Sequence, residues 1–182
     1  MYQNHPAFYK NVSNYRYHNL KKTELEGIDT IKDFKNESTR ELTSDDYIYQ
    51  IKRLADYKNH SPIAGVMQEY IFGFSEYNKK ISNAKYKSIS ERIELIKSNQ
   101  IKGVEKIDNF TFSIILKKQY PQFVYWLAMP FFSPMPWEAD MFYSQPGLQE
   151  KNITLNWFPV GTGPFKLTEN NPNLRMVLEK NK

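Results

Sequence analysis

The stretch TSDDYIYQIKRLADYKNHSP, residues 43–62, decides how the rest of the chain is read. Thr43 is a favourable N-cap. Ser44, Asp45 and Asp46 set oxygen acceptors and negative charge over a first turn whose N–H groups are free and whose dipole end is positive. Tyr47, Ile48, Ile51, Leu54 and Ala55 then recur at steps of three and four, the spacing of one apolar stripe on a helix. Lys52, Arg53 and Asp56 fall off that stripe and are expected to face water. After Tyr57 the pattern breaks into Lys-Asn-His, and Ser61-Pro62 reads as a new cap with proline at the first helical position. The spacing predicts a second helix over 63–72 after a tight corner.

Outward from this helix pair, the signals become shorter. Residues 76–84 are polar. Ser88 or Ser90 caps a helix that runs to Lys102 with Ile89, Ile93 and Ile96 on one face, Lys97 near its end and Gly103 stopping it. Val104–Ile107 and Phe110–Leu116 flank Asp108-Asn109, the pattern of a β-hairpin. Phe110, Phe112, Ile114 and Leu116 fall on one face of its second strand. Tyr120-Pro121 opens a short helix to Met129, and Pro130, Pro134 and Pro136 then keep the chain extended or turned. Trp137–Tyr143 reads as a helix and Gln145-Pro146-Gly147 as a loop. Pro159–Pro164 leads into a strand at Phe165–Leu167, a turn at Asn170–Asn173 and a partner strand at Arg175–Glu179. Residues 1–40 scatter Tyr9, Tyr15, Tyr17 and Phe34 among polar residues and predict little regular structure.

The totals bound the function classes. With 182 residues and 40% hydrophobic content the chain can fill a core. No apolar run reaches the ~18 residues that span a bilayer. There is no cysteine, which removes disulfides, thiol nucleophiles and zinc ribbons together. Lys and Arg number 25 against 20 Asp and Glu, a net charge of +5. The lysine pairs at 21–22, 79–80 and 117–118 are scattered among acidic neighbours, so the charge reads as a solvated surface.

Three blocks carry a resemblance. The first is Glu-Leu-Thr-x-Asp-Asp-Tyr-x-Tyr at 41–49, followed by Lys52-Arg53-Leu54-Ala55-Asp56 and Ser61-Pro62. The second is GVEKIDNFTFSIILKKQYPQFVYWLAMPFFSPMP at 103–136, a Val-Glu hairpin running into Tyr-Pro-x-Phe and a proline-rich crossing. The third is PVGTGPFKL at 159–167 with RMVLEKN at 175–181. Together they resemble the family 5 solute-binding proteins, the extracytoplasmic receptors of oligopeptide, dipeptide and related ABC importers. The resemblance covers about 40–182.

What the resemblance implies is specific. The fold class is α/β (α+β), a small mixed sheet with packed helices, forming part of the first lobe of a periplasmic-binding-protein-like type II fold. Residues 1–158 form the accessory domain of that lobe, with 1–39 as an insertion, and 159–182 a returning hairpin of its main domain. The C-terminal lobe is not represented. Met1–Pro6 lacks the basic start and apolar segment of a signal peptide, so the chain is expected to be an internal piece of a periplasmic protein. Such a piece is expected not to hold a peptide alone, because a cleft ligand needs both walls to lose its water. Its own surfaces are expected to self-associate. The partners implied are an oligopeptide for the whole receptor and the ABC permease subunits, with no nucleic acid. The corner His60, Ser61 and Ile63 is the candidate ligand contact at the cleft mouth; Ile63 stands where relatives carry an aromatic.

The remaining signals point to no chemistry. Gly161-Thr162-Gly163 lacks the glycine spacing and Lys-Ser/Thr ending of a phosphate loop and reads as backbone freedom at a strand entry. His5, His18 and His60 lie far apart and nominate no metal site. Asp45-Asp46 and Glu138/Asp140 read as helix-start residues, so no catalytic pair, no cofactor and no enzyme activity are assigned. Two rivals belong to other classes. One is a nucleic-acid module stacking bases on exposed tyrosines, which requires a basic face. The other is a glycan-active enzyme using Trp126, Trp137 and Trp157, which requires a carboxylate pair in a cleft.

Overall fold

The structure is a computed structural model and describes residues 1–181. In chain order its elements are β1 (Lys10–Asn11), β2 (Asn14–Tyr15), α1 (Ser44–Leu54), α2 (Ala64–Tyr70), α3 (Phe74–Asn83) and α4 (Ile89–Ser98). There follow β3 (Val104–Lys106), β4 (Phe112–Ile114), α5 (Phe123–Trp126), α6 (Trp137–Tyr143), α7 (Pro146–Glu150), β5 (Phe165–Asn171) and β6 (Arg175–Lys180). The α+β class holds. Its strands stand as three separate antiparallel pairs, β1–β2, β3–β4 and β5–β6, where the sequence reading drew one small mixed sheet. The chain forms two compact units, one of residues 43–137 and one joining 1–42 to 138–182, a division that differs from the expected break at 158/159.

In the unit 43–137, α1 starts at the cap the sequence marks. The Thr43 N–H donates to the Asp46 carboxylate at 3.0 Å, so a donor the helix cannot satisfy finds its acceptor one turn on. Ile48, Ile51, Leu54 and Ala55 are buried, and Tyr47 stacks on Phe112 with ring centroids 5.5 Å apart. The opposite face of α1 corrects the expectation. Lys52 and Asp56 are buried, because α4 packs there. The Lys52 Nζ donates to the Lys97 carbonyl at 3.0 Å, placing an ammonium at the negative end of α4. Burial lowers the pKa of that ammonium.

Three further readings shift. The polar 76–84 stretch lies in α3, whose Phe74, Tyr77 and Ile81 bury a stripe at i, i+3 and i+7. Ser61 and Pro62 do not start a helix; the Ser61 carbonyl accepts from the Ala64 N–H in a turn, and α2 begins at Ala64. Gly103 does not stop α4, which ends at Ser98 with Asn99 as its cap. Gly103 is instead a point of close approach, since a Cβ there would lie 2.5 Å from the Phe72 carbonyl. The Gly103 N–H donates to that carbonyl at 2.9 Å, Phe72 N–H to Ile115 at 3.0 Å and Ile115 N–H to Gly103 at 2.8 Å. This junction ties the end of α2 to the β3–β4 hairpin. The hairpin forms over the predicted stretch with shorter strands and a wider turn: Val104 pairs with Ile114 and Lys106 with Phe112, which leaves residues 107–111 in the turn where Asp108-Asn109 alone is expected. Phe112, Ile114 and Leu116 pack on the core, while Phe110 lies in the turn, exposed.

In the other unit, residues 1–42 have little regular structure, as their composition predicts, yet they bury Tyr2, His5, Ala7, Phe8, Tyr17, Leu25 and Phe34. Backbone bonds fasten this segment: Gln3 N–H to Gly161 at 2.9 Å, His5 N–H to Ser38 at 2.8 Å and Tyr2 N–H to Arg40 at 2.9 Å. α6 spans the predicted residues. Gln145-Pro146-Gly147, read as a loop, instead starts α7 with Pro146 in its first turn, where its missing N–H costs nothing. β5 and β6 pair antiparallel, but Asn170 and Asn171, expected in the turn, are paired residues of β5; the turn lies at residues 172–174, and an irregularity falls between Leu167 and Glu169.

His5 sits at the centre of this unit. The Tyr143 hydroxyl donates to the Phe158 carbonyl at 2.5 Å, so its oxygen accepts the His5 Nε2–H at 2.8 Å. His5 Nδ1 accepts from the Ala7 N–H at 3.1 Å. Both nitrogens are thereby satisfied in the neutral ring, and burial pushes the His5 pKa down from 6.5 to about 3.

Two predictions follow from these contacts. Gly73 has φ +75°, and a Cβ there would lie 2.9 Å from the Lys102 backbone nitrogen, whereas Gly65 faces open space in α2. Gly73→Ala is expected to lower unfolding stability by about 2 kcal/mol or more in urea titration, and Gly65→Ala to raise it by about 0.5–1 kcal/mol. The unfolded His5 gains its proton near pH 6.5 and the folded one only near 3, so its contribution is complete above 6.5 and lost as pH falls towards 3. Relative to His5→Asn, which keeps an acceptor for Ala7, the wild type is expected to lose about 1.4 kcal/mol per pH unit across that window.

Candidate functional site

The corner between α1 and α2 holds the three residues singled out by sequence. It is built from a one-turn 3-10 helix, Tyr57–Asn59, capped by Asp56, whose carboxylate accepts from the Lys58 N–H at 3.1 Å. His60 closes that turn in the left-handed region, φ 45° and ψ 40°, with its N–H donating to Tyr57 at 3.0 Å. The side chain of His60 is exposed, Ser61 is half-buried, and Ile63 is half-buried against the core of α1, α2 and α3. The structure therefore separates the three. His60 is presented outward, while Ile63 serves packing.

Four polar side chains outside the predicted set hold this corner. The Arg92 Nε donates to the Asp56 carboxylate at 2.7 Å, with a second guanidinium nitrogen also at 2.7 Å. Asp56 is 1% exposed and Arg92 8%, so this is a buried ion pair. Arg92 also reaches the Asn59 Oδ1 at 3.3 Å, the Asn59 Nδ2 donates to the Arg53 carbonyl at 2.8 Å, and the Asn78 Nδ2 donates to the Ala55 carbonyl at 2.6 Å. Residues 55–59 are thus held from α1, α3 and α4 together. The nearby Tyr77 hydroxyl donates to the Ile96 carbonyl, and burial, with the Asp56 charge second, raises its pKa. One sequence signal for this arrangement existed. A carboxylate just past the end of a helix opposes the dipole and calls for a cation from elsewhere.

The other singled-out residues have structural uses. His18 donates to the Ala7 carbonyl at 2.9 Å and stacks on Tyr15. With His5 turned to Tyr143, these two histidines are committed within the unit 1–42 with 138–182, and no group of three or more His, Asp or Glu among the described residues could hold a metal ion. Glu138 takes Arg40 at 2.8 Å and the Tyr15 hydroxyl at 3.1 Å. Asp140 accepts from Ser144 at 3.3 Å. Gly161 and Gly163 do not adopt a left-handed backbone, so the strand entry does not draw on that freedom. The unit also has a small open depression of about 70 Å³, lined in part by Lys32, Glu37 and Lys166, where burial raises the Glu37 pKa against the opposing effect of Lys166.

Comparison with known proteins then gives a consistent result. The family described as bacterial extracellular solute-binding proteins, family 5 Middle, matches residues 32–182. The periplasmic oligopeptide-binding protein OppA of Salmonella typhimurium is 31% identical over 140 residues, 77% of this chain and 22% of that protein. A solved periplasmic oligopeptide-binding protein of an oligopeptide ABC transporter, OppAIV of Borrelia burgdorferi, superposes with TM-score 0.56 and 26% identity over 78% of this chain and 24% of its own. OppA of Burkholderia pseudomallei gives TM-score 0.53 at 23% identity, covering 77% of this chain and 23% of that one, and shows a shared fold. The chain spans 22% of the Salmonella protein and 24% of the Borrelia one.

The backbone at His60 supplies a test of the corner. A β-branched side chain in the left-handed region carries a penalty of about 1–2 kcal/mol. His60→Val is expected to lower unfolding stability by that amount in urea titration, while His60→Gly leaves it level or higher.

Proposed function

The chain belongs to the family 5 bacterial extracellular solute-binding proteins, and on that premise we propose that it is part of a receptor that captures oligopeptides outside the cytoplasm and delivers them to an ABC permease. The observation that carries this reading is the 31% identity to an oligopeptide-binding protein over 77% of the chain. In this reading the protein binds its ligand without transforming it. The unit 43–137 is the accessory domain of the first lobe, β5–β6 is a hairpin of the main domain, and the protein works in the periplasm. No helix among the described residues is long and apolar enough to cross a membrane.

The ligand contact falls at the corner, through His60 and Ser61 with Ile63 packed behind them. An exposed imidazole on a clamped turn suits a polar or carboxylate group of a peptide, while the half-buried Ile63 anchors the turn to the core. The rival nucleic-acid reading draws no support from the relatives. Several surface cations also spend their charge locally, with Lys106 on Asp45 at 2.6 Å, Lys118 on Glu69 at 2.6 Å and Arg175 on Glu169 at 3.0 Å.

The test is calorimetric titration of mixed oligopeptides into this chain and into a polypeptide of the relatives' length that contains it. Binding with Kd near micromolar or tighter, about −8 kcal/mol, is expected for the longer polypeptide and none for this chain alone. Binding to neither would overturn the receptor reading. Binding to this chain alone would overturn the two-walled cleft.

A further inference from the structure

We infer that Arg92 is a positioning residue: acting through Asp56 and Asn59, it sets the conformation in which the corner presents His60 and Ser61. The inference rests on the proposal above only for the consequence to ligand; the positioning itself stands on geometry. Arg92 lies in α4, thirty-six residues from Asp56, and reaches the corner across the packed faces of two helices. Its planar guanidinium places two nitrogens on one carboxylate while a third contact extends to the Asn59 amide oxygen. A lysine has one nitrogen on a flexible stem and cannot reproduce that fork.

The far end of α4 is also tethered to α1, through Lys52 and the Lys97 carbonyl at 3.0 Å. α4 is therefore strapped at both ends by polar contacts and acts as a fixed brace. Asp56 uses its two oxygens differently, one for Arg92 and one for the Lys58 N–H that begins the 3-10 turn. The ion pair and the turn share one side chain. Movement of Arg92 is transmitted to Lys58, Asn59 and the left-handed His60, a conformation that persists only where its surroundings over-determine it.

A single Arg92→Met leaves the Asp56 charge buried without its partner and risks global unfolding. The test therefore uses Asp56→Asn combined with Arg92→Met, which removes both charges and retains an acceptor for the Lys58 N–H, alongside Arg92→Lys. Amide hydrogen exchange on the whole chain reads the local effect, with denaturation midpoints as the global control. The expected result is exchange at Asn59 and His60 faster by at least tenfold in the double variant, intermediate in Arg92→Lys, with amides of the α1 core unchanged. Unchanged exchange at Asn59 and His60 in a folded double variant would overturn the inference, as would a uniform rise across the unit.

The same variants placed in a polypeptide of the relatives' length are then titrated with mixed oligopeptides. Faster corner exchange with affinity at least tenfold weaker supports the inference and the corner's role as ligand contact. Faster exchange with unchanged affinity supports the positioning and removes the corner from the ligand site. Absence of binding in the unsubstituted polypeptide removes the receptor reading, while the exchange result still decides the role of Arg92.

Discussion

Helix α1 has polar residues on faces that cannot reach water, and the unit 43–137 is arranged to satisfy them. Ser44, Asp46, Gln50 and Lys52, with Asp56 just past the helix end, are all buried beside the apolar Ile48, Ile51 and Leu54. A buried polar group without a partner costs about 1–3 kcal/mol, and a buried charge more. Each of these has a named partner. Ser44 donates to the Asp108 carbonyl, Asp46 closes the cap, the Gln50 Nε2 donates to Phe131 while its Oε1 stays buried and unpaired, Lys52 meets the end of α4 and Asp56 meets Arg92. The partners come from α4, the β3–β4 turn and the proline-rich segment. Burial of the helix thus fixes where three other parts of the unit lie.

This constraint also explains what the sequence made legible. Local signals are legible: the Thr43 cap, the apolar stripe of α1, a serine cap for α4 at 88 or 90, a hairpin within 104–116, α6 and the pairing of two strands within 165–179. Each depends on residues within one or two turns. The misreadings share the opposite property. Lys52 and Asp56 look solvent-facing until α4 is brought against them from more than thirty residues away. Gly103 looks like a helix stop until the Phe72 carbonyl is seen to occupy the place of its side chain. α3 was hidden because only three buried residues carry it among polar neighbours.

The candidate site divides along the same line. His60, Ser61 and Ile63 were legible as a corner because Ser61-Pro62 interrupts the helical pattern. Their separation into an outward imidazole and an inward isoleucine was not, since it depends on the left-handed backbone of His60. The residues that hold that backbone lie in α3 and α4 and have no sequence pattern linking them to the corner. Similarly, the segment 1–42 is irregular as its composition predicts, yet it folds around a neutral His5 whose two hydrogen bonds reach Tyr143 and Ala7. The motifs that carry the resemblance begin at about residue 40, and the family match begins at 32.

Under the proposed function, the corner held from three helices serves as a ligand wall of fixed shape. The most direct measurement is a crystal structure of a polypeptide of the relatives' length with an oligopeptide bound. The account predicts peptide atoms within about 4 Å of His60 or Ser61, with the Asp56–Arg92 pair intact beneath them. A bound peptide that leaves the whole 57–63 corner in solvent would contradict it.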